Sequence, residues 1–221
     1  MKRLILLTVC ILSVACNSTV IKVSPSYTSP SPPEDVNCAL IIPEFIDVSY
    51  KSSVEKSLGP GLNTQVIPSF FREQFYTELQ KASRFNKMFN SYLLEDFPSR
   101  KKRFSTRHGQ RAISIPLPGE KIKCQSVEPE IVVKLENIAI SSQAPGKEDA
   151  SEENTEKSGS LFLRTEFMIW DNVEGKLVSH GYVEVSRNGK SSFTKDNWIS
   201  LTAEAASLIM KGTPFAVKST S

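Results

Sequence analysis

Residues 161–187 read LFLRTEFMIWDNVEGKLVSHGYVEVSR, and their pattern decides the fold. Leu161, Leu163, Phe167 and Ile169 recur at even spacing, which puts them on one face of a strand from Leu161 to Trp170. Lys176 to Arg187 alternates around Leu177, Val183 and Val185. Between the two runs, Asp171-Asn172-Val173-Glu174-Gly175 carries the residues of a tight turn, so the stretch reads as an antiparallel hairpin.

Working outward, Glu130 to Ile140 is rich in Ile and Val and reads as a third strand. Cys38-Ala39-Leu40-Ile41-Ile42-Pro43 is a short apolar run of the kind buried on both faces of a sheet, and Pro43 marks a strand end or an edge. Phe85 to Leu94 reads as a further strand. After Gly59-Pro60-Gly61, Pro68 can start a helix with Phe71, Phe75, Leu79 and Ala82 along one face. A last helix has Asp196 as its expected N-cap, an apolar stripe through Trp198, Leu201, Ala205, Leu208 and Ile209, and stop signals at Lys211, Gly212 and Pro214. The expected architecture is α/β (α+β): a mixed, mostly antiparallel sheet of about five strands with two main helices packed on it.

The chain has 221 residues, 27 Lys+Arg against 24 Asp+Glu, and a formal charge of +3. That surplus is too small for a generally nucleic-acid-binding surface, and nucleic acid is excluded as a partner. With two histidines, a histidine-built metal site has little material. The 39% of hydrophobic residues suits one domain with a buried core.

Lys2 and Arg3 precede an apolar or small-residue run from Leu4 to Ala15. Basic end, apolar stretch and small residues form the order of an export signal over residues 1–15. These twelve residues would rise about 18 Å as a helix, short of a roughly 30 Å hydrocarbon core. Leu12-Ser13-Val14-Ala15-Cys16 resembles a bacterial lipobox, although Ser13 stands where such motifs carry an aliphatic residue. The resemblance implies a diacylglycerol and an N-acyl chain on Cys16, two or three chains being enough for stable anchoring. An ordinary signal cut near Ala15, with no lipid, is the alternative. Asn17, by resemblance to Gram-negative sorting, implies the outer membrane, facing the periplasm. Residues 16–37 read as a flexible Ser/Pro tether of about 25 Å as a coil, residues 38–216 as the single domain and 217–221 as a tail.

Ala39 to Pro43, the helix end Glu78-Leu79-Gln80-Lys81-Ala82-Ser83-Arg84-Phe85, and Phe167 to Val178 resemble the scheme of TolB N-terminal-like domains. The curli-secretion lipoprotein CsgG, lipoproteins that activate penicillin-binding proteins, and auxiliary lipoproteins of ABC-type transporters are similar, the last including Pro43 to Asp47. The resemblance implies an envelope protein partner or a homo-oligomer, since ring-forming members occur.

Signs of chemistry are few. Gly189-Lys190-Ser191 lacks the upstream glycine of a phosphate loop, Glu184 standing in its place. His180 falls on the face opposite Val183 and Val185, where a surface or partly covered position is expected; His108 sits in a basic loop. Glu128 and Glu130, two apart at a strand start, are either an acid/base pair or solvated edge residues. No catalytic or metal-ligating residue is assigned, and no cofactor beyond the acyl chains of Cys16. Cys38 and Cys124 are candidates for a disulfide, whose closed loop would contribute on the order of 4 to 5 kcal/mol, or else two buried thiols.

Arg100, Lys101, Lys102, Arg103, Arg107 and Arg111 crowd one expected loop, a candidate contact for anionic lipid or an acidic partner. Lys147 to Lys157 is an acidic counterpart. The expectation is a lipid-anchored, non-enzymatic envelope lipoprotein that serves as a binding or assembly accessory. Alternatives are an auxiliary subunit of an ABC-type lipid or solute transport system, and an envelope hydrolase with a carboxylate pair.

Overall fold

The computed structural model describes residues 16–23, 37–41, 46–60, 62–63, 65–85, 87–91, 98–106, 109–123, 128–143, 159–189 and 192–217. In chain order the elements are β1 (Cys16–Val23), β2 (Asn37–Ile41), β3 (Asp47–Ser49), α1 (Lys51–Leu58), α2 (Ile67–Ala82) and β4 (Lys87–Ser91). They are followed by β5 (Ser99–Thr106), β6 (Gly109–Pro116), β7 (Ile131–Gln143), β8 (Gly159–Asp171), β9 (Lys176–Gly189) and α3 (Lys195–Met210).

The mixed α/β architecture is as expected, with a larger sheet. Among the described residues it has seven strands in the order β1-β9-β8-β7-β2-β4, with β3 beside β2 on β7. The long pairs β7/β8, β8/β9 and β1/β9 are antiparallel, whereas β2/β7, β2/β4 and β3/β7 are parallel. The first eight residues of the expected tether are a strand. Cys16–Val23 pairs with β9 throughout, because Thr19, Val20, Ile21 and Val23 form a β-branched run that suits an edge.

The β8–β9 turn is locked as its residues imply. Asp171 Oδ1 accepts the Val173 and Glu174 N–H groups, each at 2.9 Å. Gly175 has φ 60, and a Cβ built there would lie 2.6 Å from Gly119 Cα. Only glycine permits that approach. The buried Asn172 side chain then clasps the incoming chain, accepting from Ile122 N–H at 2.6 Å and donating to the carbonyls of Ile122 and Pro129 at 2.9 and 2.8 Å.

Helices cover one sheet face. Phe71, Phe75 and Leu79 of α2 and Trp198 of α3 pack with Leu163 and Phe167 of β8. Phe71 and Trp198 meet edge to face at 5.3 Å, and the Trp198 indole N–H donates to Ser57 Oγ of α1 at 2.8 Å. The cap of α3 is Thr194 rather than Asp196: Thr194 and Asn197 form a capping box, which leaves Asp196 in the first turn. A carboxylate there complements the helix dipole without serving as the cap.

The opposite face is covered by a separate two-stranded sheet, β5 with β6. Phe104, Ile113 and Ile115 pack there with Val132, Met168, Trp170 and Tyr182. The expected basic loop is therefore a hairpin. Phe104, Ile113 and Ile115 are what hold it: Ile113 and Ile115 alternate onto one face of β6, and Phe104 of β5 is buried on the same side.

Candidate functional site

Successive rows of β7, β8 and β9 bring charged groups together beneath the hairpin. Glu136 lies opposite Glu166, which lies opposite Tyr182; one row on, Arg164 lies opposite Glu184. Like charges directly opposite in a sheet destabilise it unless countered. Each carboxylate of the Glu136/Glu166 pair has its own cation: Lys134 pairs with Glu136, and Arg111 Nη1 of β6 lies 3.7 Å from Glu166 Oε1.

Glu166 is 1% exposed, and burial raises its pKa above the ordinary value of 4.5. A hydrogen bond from Asn137 and the Arg111 charge oppose that rise, while the Glu136 charge adds to it. Asn137 has φ 50 at a bulge where the β7–β8 register shifts. Asn tolerates this left-handed conformation better than most residues, and bulges re-aim side chains.

His180, on the same face, is 5% exposed, with its pKa lowered by burial and then by the Lys102 charge. Tyr182 donates its hydroxyl to Glu184. The Arg111 guanidinium also lies 6.0 Å from the Tyr182 ring centre. Ser114 N–H donates to Glu136 Oε2 at 3.4 Å, so β6 crosses from β7 toward β9. This ionic patch fastens the hairpin to the sheet and keeps two titratable groups, Glu166 and His180, out of water.

The candidate cations thus divide. Register places Arg100, Lys102 and Arg111 on the same hairpin face as Ile113, Ile115 and Phe104, toward the sheet, although Arg100 remains exposed. Lys101 and Arg103 alternate to the outer face and are exposed. Arg107 and His108 lie outside the described residues, as do the signal 1–15, most of the tether, the acidic stretch 147–157 and Cys124. Cys38 is buried on β2.

Glu128 and Glu130 are not brought together in chemistry. Glu128 pairs with Lys123 at 3.8 Å, whereas Glu130 accepts the Asn37 N–H at 2.8 Å and so ties β2 to the start of β7. His180 is buried rather than at the surface, because the hairpin covers it. An open depression of about 420 Å³ by Glu55, Lys56, Leu62 and Asn63 contains none of these groups. No group of three metal-ligating side chains occurs among the described residues. No helix among them is long and apolar enough to cross a membrane.

Glu136, Asn137, Glu166 and Glu184 were not anticipated from sequence. Their signal is Arg164 and Glu166 coming into register, across the turn, with His180, Tyr182 and Glu184. It is masked because alternating polar residues ordinarily mean solvent.

No protein-family model matches the chain, and no curated protein matches it. Among solved structures it is similar to the PelC dodecamer from Paraburkholderia phytofirmans, at 11% identity and TM-score 0.41, over 91% of this chain and 100% of that one. A variant of the same dodecamer gives 9% identity and TM-score 0.39 over 87% and 97%. A Helicobacter pylori homologue of a neuraminyllactose-binding hemagglutinin gives 10% identity and TM-score 0.35, over 83% of each chain.

Proposed function

We propose that the chain is a lipid-anchored, non-enzymatic envelope lipoprotein that serves as a binding or assembly accessory at the outer membrane, with an envelope protein or a second copy as partner. The observation that carries this reading is Ala15-Cys16 at the end of the Leu4–Ala15 run behind Lys2 and Arg3. Acyl chains on one cysteine give stable anchoring when there are two or more. The outer face of the β5–β6 hairpin supports the binding part of the reading, because Lys101 and Arg103 are exposed there and alternate away from the buried patch.

Cell fractionation of the full chain tests the anchor. The parent is expected in the detergent phase after membrane extraction, and Cys16→Ser in the soluble phase. A parent that is soluble, or a Cys16→Ser chain that still partitions with detergent, would overturn it.

A further inference from the structure

β1 begins at Cys16 itself, and the register of the sheet shows where that residue stands. Cys16 lies opposite Arg187 on β9, Arg187 opposite Leu161 on β8, and Leu161 opposite Ser142 on β7. Paired Cα atoms are about 5 Å apart. Cys16 is therefore fixed at the end of the sheet where β7 finishes at Gln143, β8 starts at Gly159 and β9 finishes at Gly189. The ladder holding it runs without a shift from Cys16 to Val23. At the same end, Phe193 is half-buried against Gly189, and Lys195, at the start of α3, is exposed. Phe193 packs there on the helix-side core, and the Lys195 Nζ lies 5.3 Å from the Phe70 ring centre.

The opposite end is the Asp171–Gly175 turn, where Val173 is 58% exposed. At about 3.4 Å per residue, the strand from Leu161 to Asp171 separates the two ends by roughly 34 Å.

We infer that Cys16 is a fixed point on the sheet and not the far end of a tether. An acylated Cys16 holds the sheet end-on to a phospholipid bilayer, with the Cys16 end of the sheet toward it and the Val173 turn directed away. This rests on the lipid-anchor reading and adds to it the face that meets lipid. It also places the Val173 turn, not the Asn188 end, within reach of partners in the periplasm.

The test uses the full acylated chain with a small fluorescent residue introduced in place of Asn188 or of Val173. Each protein is reconstituted in phosphatidylethanolamine/phosphatidylglycerol vesicles that carry a nitroxide on the headgroup, and acylation is checked by intact mass. Quenching at Asn188 is expected to exceed that at Val173 by at least about threefold, given the roughly 34 Å between them. Val20→Pro with Ile21→Pro, which breaks the β1–β9 ladder while leaving Cys16 in place, is expected to remove the difference. Equal quenching at the two sites in a protein whose acyl mass is present overturns the end-on placement and leaves the anchor standing. Absence of the acyl mass overturns the anchor, and this placement with it.

Discussion

Arg111 on β6 and Glu166 on β8 face each other at 3.7 Å, Nη1 to Oε1, across the interface between the hairpin and the main sheet. The side chain of Glu166 is 2% exposed and that of Arg111 24%. Removing the cation leaves a buried carboxylate beside Glu136, so Arg111→Met is expected to destabilise the domain by about 3 kcal/mol. Glu166→Gln, which removes the charge and keeps a polar group, is expected to cost about 1 kcal/mol or less. Urea unfolding of the two single variants and the double variant checks this. The double variant is expected to be more stable than Arg111→Met alone.

Glu166 and His180 give stability opposite dependences on pH. The folded pKa of Glu166 is raised above 4.5. The native state therefore holds its proton more readily than the unfolded chain, and this group lowers stability as pH rises above about 4.5. The folded pKa of His180 is lowered from 6.5. The unfolded chain takes up that proton first, so this group lowers stability as pH falls below about 6.5. Urea midpoints measured from pH 4 to pH 8 are expected to lose the first trend in Glu166→Gln and the second in His180→Gln. Unchanged profiles in both would contradict the burial of these groups under the hairpin.

The two faces of the hairpin are separable. Changing Lys101 and Arg103 to Gln is expected to weaken flotation of the unlipidated domain with anionic vesicles by about fivefold per residue, at roughly 1 kcal/mol each. The urea midpoint is expected to stay constant. Lys102→Gln and Arg111→Gln are expected to do the reverse.

Asn172 ties the β8–β9 turn to the segment before β7 through three hydrogen bonds. Asn172→Ala is expected to destabilise by about 2 to 4 kcal/mol and to speed hydrogen exchange at the Ile122 amide, which loses its acceptor. Gly175→Ala is expected to cost at least about 1 to 3 kcal/mol, since its Cβ would meet Gly119 backbone 2.6 Å away.

The central hairpin and the two long helices are legible in the chain because their apolar residues repeat at fixed spacing and their ends carry turn chemistry. Four elements are not. In α1, Val54 and Leu58 are the apolar residues buried, too few to show a period. β1 lies in a Ser/Pro-rich composition that hides its β-branched stretch. β5 and β6 read as a charged loop because Arg100 to Arg103 are four consecutive cations before Phe104, and the sheet face that receives the hairpin becomes visible only after β7, β8 and β9 are in register. The ionic patch is illegible for the same reason: its members come from four strands, and nothing local marks Glu166 as buried.

The most direct test of the anchor is the intact mass of the chain purified from the membrane fraction of an expressing Gram-negative host. The expected species starts at Cys16 and carries the added mass of a diacylglycerol and one acyl chain. A mature chain that starts elsewhere, or an unmodified Cys16, would contradict the account.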